Sequence, residues 1–243
     1  MIKTFVSIDL ETTGLHPKED RITEIGAIKY QDGAETGRFH SLINPGRKLE
    51  ERIVQLTGIT DEELAQAPHI EKVLPELLEF LGDLPLLGHS ILFDYSFLKK
   101  AAVDLKLPFE KKGIDTLKIA KKYLAQLEHR NLGFLCGYYR IPLQAHRALW
   151  DAEATAILYG KLAEEFYSDE EPLFFPQPLI FRIKRDTPAT KAQKEQLYRL
   201  MERHRIQIDR DVEYLTRSEA SRITDRILSG QMGEGMSSGG EFR

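Results

Sequence analysis

The chain has 243 residues and one cysteine, Cys136, which excludes a disulfide framework and a zinc site built on cysteines. Hydrophobic residues make up 42% and charged residues 30%, the balance of an ordinary globular protein. The net charge of −4 is not typical of a nucleic-acid binder. Because no secretory signal and no apolar run of about 18 residues is found, we expect a cytoplasmic protein without a membrane anchor.

Strands are predicted first along the chain, and strands and helices then alternate. Three early segments, 4–10, 21–33 and 37–46, are rich in apolar and β-branched residues, and turn signals close the second and third. The later segments alternate between short apolar runs, which predict strands, and apolar residues at helical spacing. A short strand is predicted at 85–90, and a strand that runs into a helix is predicted at 114–124. Helices are predicted at 60–64, 70–81, 94–105, 131–139 and 148–166. This order predicts an α/β fold in which helices cover a sheet.

The pattern changes near residue 168, where prolines and acids predict a linker over 168–186. A small helical region is predicted over 187–229, with Thr187 as helix cap and Pro188 at the first helical position. A capping box of Thr216 and Glu219 predicts a second helix there. The Gly- and Ser-rich residues 230–243 predict a disordered tail.

Two acids, Asp9 and Glu11, end the first strand in the stretch FVSIDLETTGLHP. Residues two apart on a strand share a face, so both carboxylates can point to one place. A solvent-exposed pair at a strand end would show the same pattern. The residues that follow, Thr12, Thr13 and Gly14, supply hydroxyls and a flexible backbone suited to close approach of a ligand.

Three more polar residues occupy unusual places. Asp94 lies between Phe93 and Tyr95 where a strand gives way to a helix, a position that also suits a helix cap. His146 and Asp151 are five apart at the entry to the last long helix of residues 1–167, where Asp151 could instead serve the helix dipole. Four carboxylates form a hard, oxygen-rich ligand set that favours Mg²⁺ or Mn²⁺ over Zn²⁺. A nearby histidine could act as general base.

The segments DLETTG (9–14), HSILFDYSFL (89–98) and HRALWDAE (146–153) resemble the three motifs of the DEDDh 3′–5′ exonucleases. This family includes the proofreading subunit or domain of bacterial replicative DNA polymerases. The resemblance covers roughly residues 1–167 and implies an RNase H-like mixed five-stranded sheet flanked by helices, with the small helical region as a C-terminal appendage. One difference is Ser90, where many relatives have Asn after the histidine.

The resemblance also implies roles for single residues. Asp9 resembles the acid shared by two divalent metal ions, Mg²⁺ or Mn²⁺, and Glu11 and Asp151 resemble ligands of the metal that activates water. Asp94 resembles the acid of the second metal, and His146 matches the general base. The residues that resemble the substrate-binding segment and pocket are Thr12, Thr13, Gly14, Leu15, His89 and Phe93.

The implied function is removal of 5′-mononucleotides from the 3′ end of a nucleic acid, for which single-stranded DNA is favoured over RNA as the substrate. A polymerase or a repair protein is the implied partner. The alternative is a module that binds nucleic acid or a protein partner and keeps a vestigial exonuclease fold. In that case the C-terminal part would carry the main task. All five motif positions are filled, which favours the enzyme. The sequence leaves the oligomeric state open.

Overall fold

The computed structural model describes residues 1–168 and 171–232. These residues divide into two compact units. The first comprises Met1–Pro45 and Glu51–Ile183, and the second comprises Gly46–Glu50 together with the chain from Lys184 onward. Within the described ranges, no helix combines the length and apolar character needed to cross a bilayer.

The first unit is built on a mixed sheet, which in the described part of the chain has six strands in the order β3-β2-β1-β4-β5-β6. Strands β1, β2 and β3 form an antiparallel meander, β4 and β5 continue from β1 in parallel, and β6 pairs antiparallel with β5. The strands are β1 (Phe5–Thr12), β2 (Ile22–Gln31), β3 (Ala34–Leu42), β4 (Leu86–Gly88), β5 (Lys112–Asp115) and β6 (Gln177–Pro178).

The α/β fold and its mixed sheet are confirmed, with one strand more than the five expected. The extra strand, β6, lies in the predicted linker and has only two residues, which is too short for an alternating pattern to reveal it. Phe174, in the 3-10 helix Pro172–Phe174 just before it, is fully buried. The segment 171–183 therefore belongs to the first unit.

Helices of the first unit cover both faces of the sheet. On β1, Val6, Ile8 and Leu10 enter a core with α3 and α4, whereas Phe5 enters a second core with α5, α6 and α7. This division follows the two-residue period of a strand. The helices are α1 (Glu51–Thr57), α2 (Asp61–Ala65), α3 (Ile70–Leu81), α4 (Leu92–Asp104), α5 (Thr116–Tyr123), α6 (Leu132–Tyr139) and α7 (Ala148–Phe166).

The second unit packs α8 (Lys191–His204) and α9 (Arg217–Leu228) around its own apolar core. The capping box of Thr216 and Glu219 at α9 is present as predicted. The predicted start of α8 is wrong by three residues. Its cap is Thr190, whose hydroxyl accepts from the backbone N–H of Gln193 in a second capping box.

The second unit also takes in a short piece of chain from between β3 and α1. The backbone N–H of Lys48 donates to the carbonyl of Asp209 (2.9 Å), and that of Asp211 donates to the carbonyl of Gly46 (2.8 Å). Nothing in the sequence pattern predicted this contribution. At the other end of the unit Met232 is buried. From residue 233 onward, the predicted disordered tail lies outside the described residues.

Candidate active site

The first two candidate acids, Asp9 and Glu11, lie near the carboxyl end of β1, on the face of the sheet that α7 covers. Two residues earlier on the same face, the hydroxyl of Ser7 donates to the carbonyl of Ala152 in α7 (2.6 Å). Strand alternation places Asp9 and Glu11 on this side as well. Both acids therefore face the helix that carries Asp151.

Asp94 reaches the same strand end from α4. It occupies the third position of that helix, and the cap position belongs to Ile91, which makes no side-chain cap bond. The Oδ1 atom of Asp94 accepts a hydrogen bond from the backbone N–H of Leu10 (3.1 Å), and its side chain is buried. The carboxylate is thus directed toward β1 between Asp9 and Glu11, and the alternative of a simple helix cap does not apply.

Asp151 lies in the first turn of α7, and its Oδ2 atom accepts from the backbone N–H of His146 (2.8 Å). Glu11, His146 and Asp151 each offer a ligand atom, and these atoms lie within 4.8 Å of one another. His146 itself is exposed, and its backbone has φ of +66°, a left-handed conformation uncommon outside glycine. The hydrogen bond to Asp151 helps to hold this conformation.

The electrostatics of the cluster favour a cation. Burial raises the pKa of Asp9 well above 3.8, and the charges of Asp94, Asp151 and Glu11 raise it further. Burial, then Asp151 and Glu24, raise the pKa of Glu11 to about 8 against an opposing effect of Arg147. The pKa values of Asp94 and Asp151 are also raised, in each case mainly by burial. Crowded, desolvated carboxylates of this kind are the environment in which a bound divalent cation is stabilising.

The predicted substrate segment forms a tight loop held by Asp20. Asp20 accepts from the hydroxyl of Thr13 (3.3 Å), and a Cβ atom on Gly14 would lie 2.5 Å from an Asp20 oxygen. Thr12 is buried and donates to the carbonyl of Gly14 (2.6 Å). Beyond this braced loop, Leu15 is 75% exposed. Leu15 is therefore the apolar side chain of this segment that is open to a ligand.

The other two predicted pocket residues are engaged inside the protein. The ring nitrogens of His89 lie 2.9 Å from the hydroxyl of Thr116 and 2.9 Å from the carbonyl of Arg130, and burial lowers its pKa. Phe93 is partly buried against the first core, with its ring centroid 5.0 Å from that of Phe97. In the described structure these side chains make internal contacts.

Two residues beside the site were missed by the motif comparison. Gly26, opposite Asp9 on β2, has no room for a side chain, because a Cβ atom there would lie 2.2 Å from the backbone of Ala148 and Leu149. Glu24, opposite Glu11, is fully buried and ion-paired with Arg147. An acid inside the apolar run ITEIGAI was the available sequence signal, since an acid is rarely buried without a partner.

Comparison with known protein families shows which family the chain belongs to. A family model described as an exonuclease (RNase T) matches residues 6–159. The chain belongs to this exonuclease family. The match runs from the second residue of β1 to Tyr159 in α7, so all five motif residues of this exonuclease-family protein fall within it.

Curated relatives of this exonuclease-family protein include PolC-type DNA polymerase III. The protein of Thermotoga petrophila is 41% identical over 162 residues, which are 66% of this chain and 12% of that protein. The protein of Staphylococcus haemolyticus is 38% identical over 164 residues, 67% of this chain and 11% of that protein. The chain thus spans about an eighth of the length of these relatives.

Solved structures similar to this exonuclease-family protein are also exonucleases. Exonuclease X, solved in complex with 5′-overhanging duplex DNA, has a TM-score of 0.54 and 26% identity and covers 66% of this chain and 92% of its own. E. coli exonuclease I, solved with single-stranded DNA, has a TM-score of 0.60 and 21% identity, and the likeness covers 68% of this chain and 41% of exonuclease I. The second likeness concerns the fold alone.

Proposed function

We propose that the protein is a metal-dependent 3′–5′ exonuclease that releases 5′-mononucleotides from single-stranded nucleic acid, with DNA as the first substrate class. The observation that carries the proposal is the convergence of the motif residues at the end of β1. One ligand atom each of Glu11, His146 and Asp151 lies within 4.8 Å of the others, and Asp94 accepts a hydrogen bond from Leu10, the residue between Asp9 and Glu11. Family membership supports the same reading.

The residues fit two divalent ions, Mg²⁺ or Mn²⁺. Asp9, Glu11, Asp94 and Asp151 would hold them, since carboxylate oxygens suit these hard cations, and the pKa values of all four acids are raised mainly by burial, which a bound cation would offset. When bound, the ions would neutralise the phosphate and lower the pKa of water. A ring nitrogen of His146 would take the proton from the attacking water, while Asp151 holds the His146 backbone.

The 3′-terminal nucleotide would lie against the loop 12–15. Thr12 and Thr13 fix the backbone of this loop, and the exposed side chain of Leu15 would wedge against the terminal bases. The bound DNA in the structure of exonuclease X supports a nucleic-acid substrate. The relation to PolC-type polymerases supports a polymerase or repair partner and a cytoplasmic location as part of the same proposal.

The test uses 5′-labelled single strands of DNA and RNA with the purified protein and Mg²⁺ or Mn²⁺. We expect a ladder that shortens from the 3′ end and disappears in chelator and in His146→Ala. His129→Ala, a change of an exposed histidine outside the motifs, is the matched control and should leave the ladder intact. Absence of a ladder from wild-type protein on both strands would contradict the proposal and favour the binding module.

A further inference from the structure

Helix α7 begins beside the candidate site without a cap of its own. The side chain at its cap position, Arg147, makes no cap hydrogen bond. Instead the Oε2 atom of Glu24, on β2 and 124 residues earlier in the chain, accepts from the backbone N–H of Ala148 (3.0 Å). The first N–H groups of a helix have no partner within the helix. The Glu24 carboxylate, which lies on β2, therefore caps α7 in place of a residue at the start of that helix.

Glu24 holds the residue before the helix as well. Its Oε1 atom lies 3.2 Å from Nε and 3.1 Å from Nη2 of Arg147, and 2.7 Å from Nε2 of His40. The Glu24 side chain is 1% exposed, so this charge-assisted network is shielded from water on the carboxylate side. With these four N–H donors around it, the Glu24 carboxylate is not available as a fifth metal ligand.

The network ends next to the candidate general base. Arg147 directly follows His146, whose left-handed backbone is held on its other side by the bond from its N–H to Asp151. A left-handed conformation is unfavourable in a non-glycine residue, so it persists only where its neighbours fix it. Glu24 fixes Arg147, the residue after His146, and Asp151 fixes the backbone N–H of His146 itself.

We propose that Glu24 is a positioning residue for catalysis: by clamping Arg147 and the start of α7, it sets the direction of His146 relative to Glu11 and Asp151. The inference rests on the proposed function, because it takes His146 as the base. It assigns to a buried strand acid a task that the motif residues do not perform.

The test compares Glu24→Gln with wild type in the chain of 243 residues. The amide keeps the shape but loses the charge and replaces one acceptor by a donor, so the clamp on Arg147 weakens. We expect kcat to fall about tenfold to a hundredfold, as for a base misplaced by a fraction of an ångström, with KM within about twofold. Hydrogen exchange of the backbone amides at 146–148 should rise about tenfold, with the rest of α7 unchanged.

The matched control is Glu153→Gln. Glu153 also joins α7 to the sheet through an ion pair, with Arg38 of β3 (2.8 Å), and within the described part of the chain its side chain has no hydrogen bond or ion pair to residues 146–148. We expect kcat and exchange at 146–148 to stay at wild-type values. Should Glu24→Gln not fold, Arg147→Met tests the same clamp, because the Arg147 side chain is 37% exposed.

Wild-type kcat and wild-type exchange at 146–148 in Glu24→Gln would overturn the inference. So would a uniform rise in exchange along α7 with equal changes in kcat and KM, which is the pattern of a purely structural residue. The exchange measurement needs no activity. Inactive wild-type protein would therefore overturn the proposed function, while exchange at 146–148 would still decide whether the clamp exists.

Discussion

At the scale of single residues, Asp94 distinguishes two explanations of an acid near a helix start. Its carboxylate accepts from Leu10 of β1 and lies two positions inside the helix from the first residue, so it is not the cap. The same strand end carries Asp9 and Glu11, whose pKa values are raised by burial and by neighbouring acids. The clustering of these acids is therefore unfavourable for the metal-free fold at a pH where they are ionised.

The first prediction concerns Asp9. Asp9→Asn keeps the side-chain shape and removes one of the crowded charges, so we expect turnover to fall by at least about a hundredfold. In chelator the thermal midpoint should be equal to or above that of wild type, because like-charge repulsion is relieved. Steady-state kinetics and thermal unfolding measure the two effects. Wild-type turnover in purified Asp9→Asn would contradict the assignment of Asp9.

The second prediction concerns pH. Burial raises the pKa of Glu11 from 4.5 to about 8, so between these values the folded state binds a proton that the unfolded state has released. The unfolding free energy of metal-free protein should therefore fall as pH rises from about 4.5 to 8. Thermal midpoints in chelator across this range measure the slope, which Glu11→Gln should flatten.

The exposed acid Glu35 provides the control for that slope. Its hydrogen bond to Arg38 lowers its pKa, the opposite direction, so Glu35→Gln should leave the decline of stability with rising pH in place. Adding Mg²⁺ at pH 8 should raise the midpoint of wild type, since a ligand that binds the folded state stabilises it. A midpoint that rises with pH in chelator would contradict the prediction.

At the scale of elements, the site depends on how closely the start of α7 approaches β2. Strand alternation predicted that Asp9 and Glu11 share a face, and the motif spacing predicted which helix carries Asp151. The contact itself was not predictable, because Gly26 in a strand pattern does not say what lies against it. The strand β6 was not predicted, because two residues are too few for a strand pattern. The start of α8 was predicted wrongly, because Thr187-Pro188 and Thr190 with Gln193 are competing signals for a helix start.

The third prediction tests this approach with Gly26→Ala. The new methyl group would lie 2.2 Å from the backbone of Ala148 and Leu149, so the start of α7 must move by about 1 Å to restore van der Waals contact. We expect kcat to fall by about a hundredfold and the thermal midpoint of the first unit to fall as well. Steady-state kinetics and thermal unfolding measure both.

Gly160 lies on the same helix and gives the matched control. A Cβ atom there has no neighbour within 4 Å, so Gly160→Ala should keep wild-type activity and add about 0.5–1 kcal/mol to the unfolding free energy through helix propensity. Equal activity of the Gly26→Ala and Gly160→Ala proteins would show that the close approach at β2 is not needed.

At the scale of the whole molecule, an ion pair joins the two parts of the second unit, which are far apart in the sequence. Nη2 of Arg47 lies 2.9 Å from Oε1 of Glu219, whose side chain is buried, and the Arg47 side chain is 9% exposed. Two lysines of α8 have acidic partners within this unit: Lys194 pairs with Glu213, and Lys191 pairs with Glu195. These pairs favour a solvated helix face as the role of the two lysines.

The fourth prediction is that Arg47→Met destabilises the second unit by about 1.5–3 kcal/mol, because the buried Glu219 carboxylate loses one of its two arginine partners and keeps Arg210 at 3.5 Å. The only tryptophan of the chain, Trp150, lies in the first unit and reports its unfolding by fluorescence. The far-ultraviolet circular dichroism transition should therefore shift while the fluorescence transition stays in place. Arg199→Met is the control and should shift neither, since Arg199 bonds only at an exposed position.

The segment Gly46–Glu50 has a consequence for how such a chain is inherited. Ordinary modules are gained or lost by joining genes end to end, because each is encoded without interruption. Here the second unit needs five residues encoded near the start and the stretch from Lys184 onward, with the motif residues Asp94, His146 and Asp151 encoded between them. A gene truncated at residue 184 would leave Lys48 and Gly46 without their backbone partners. The second unit therefore cannot be transferred intact as one continuous stretch of a gene.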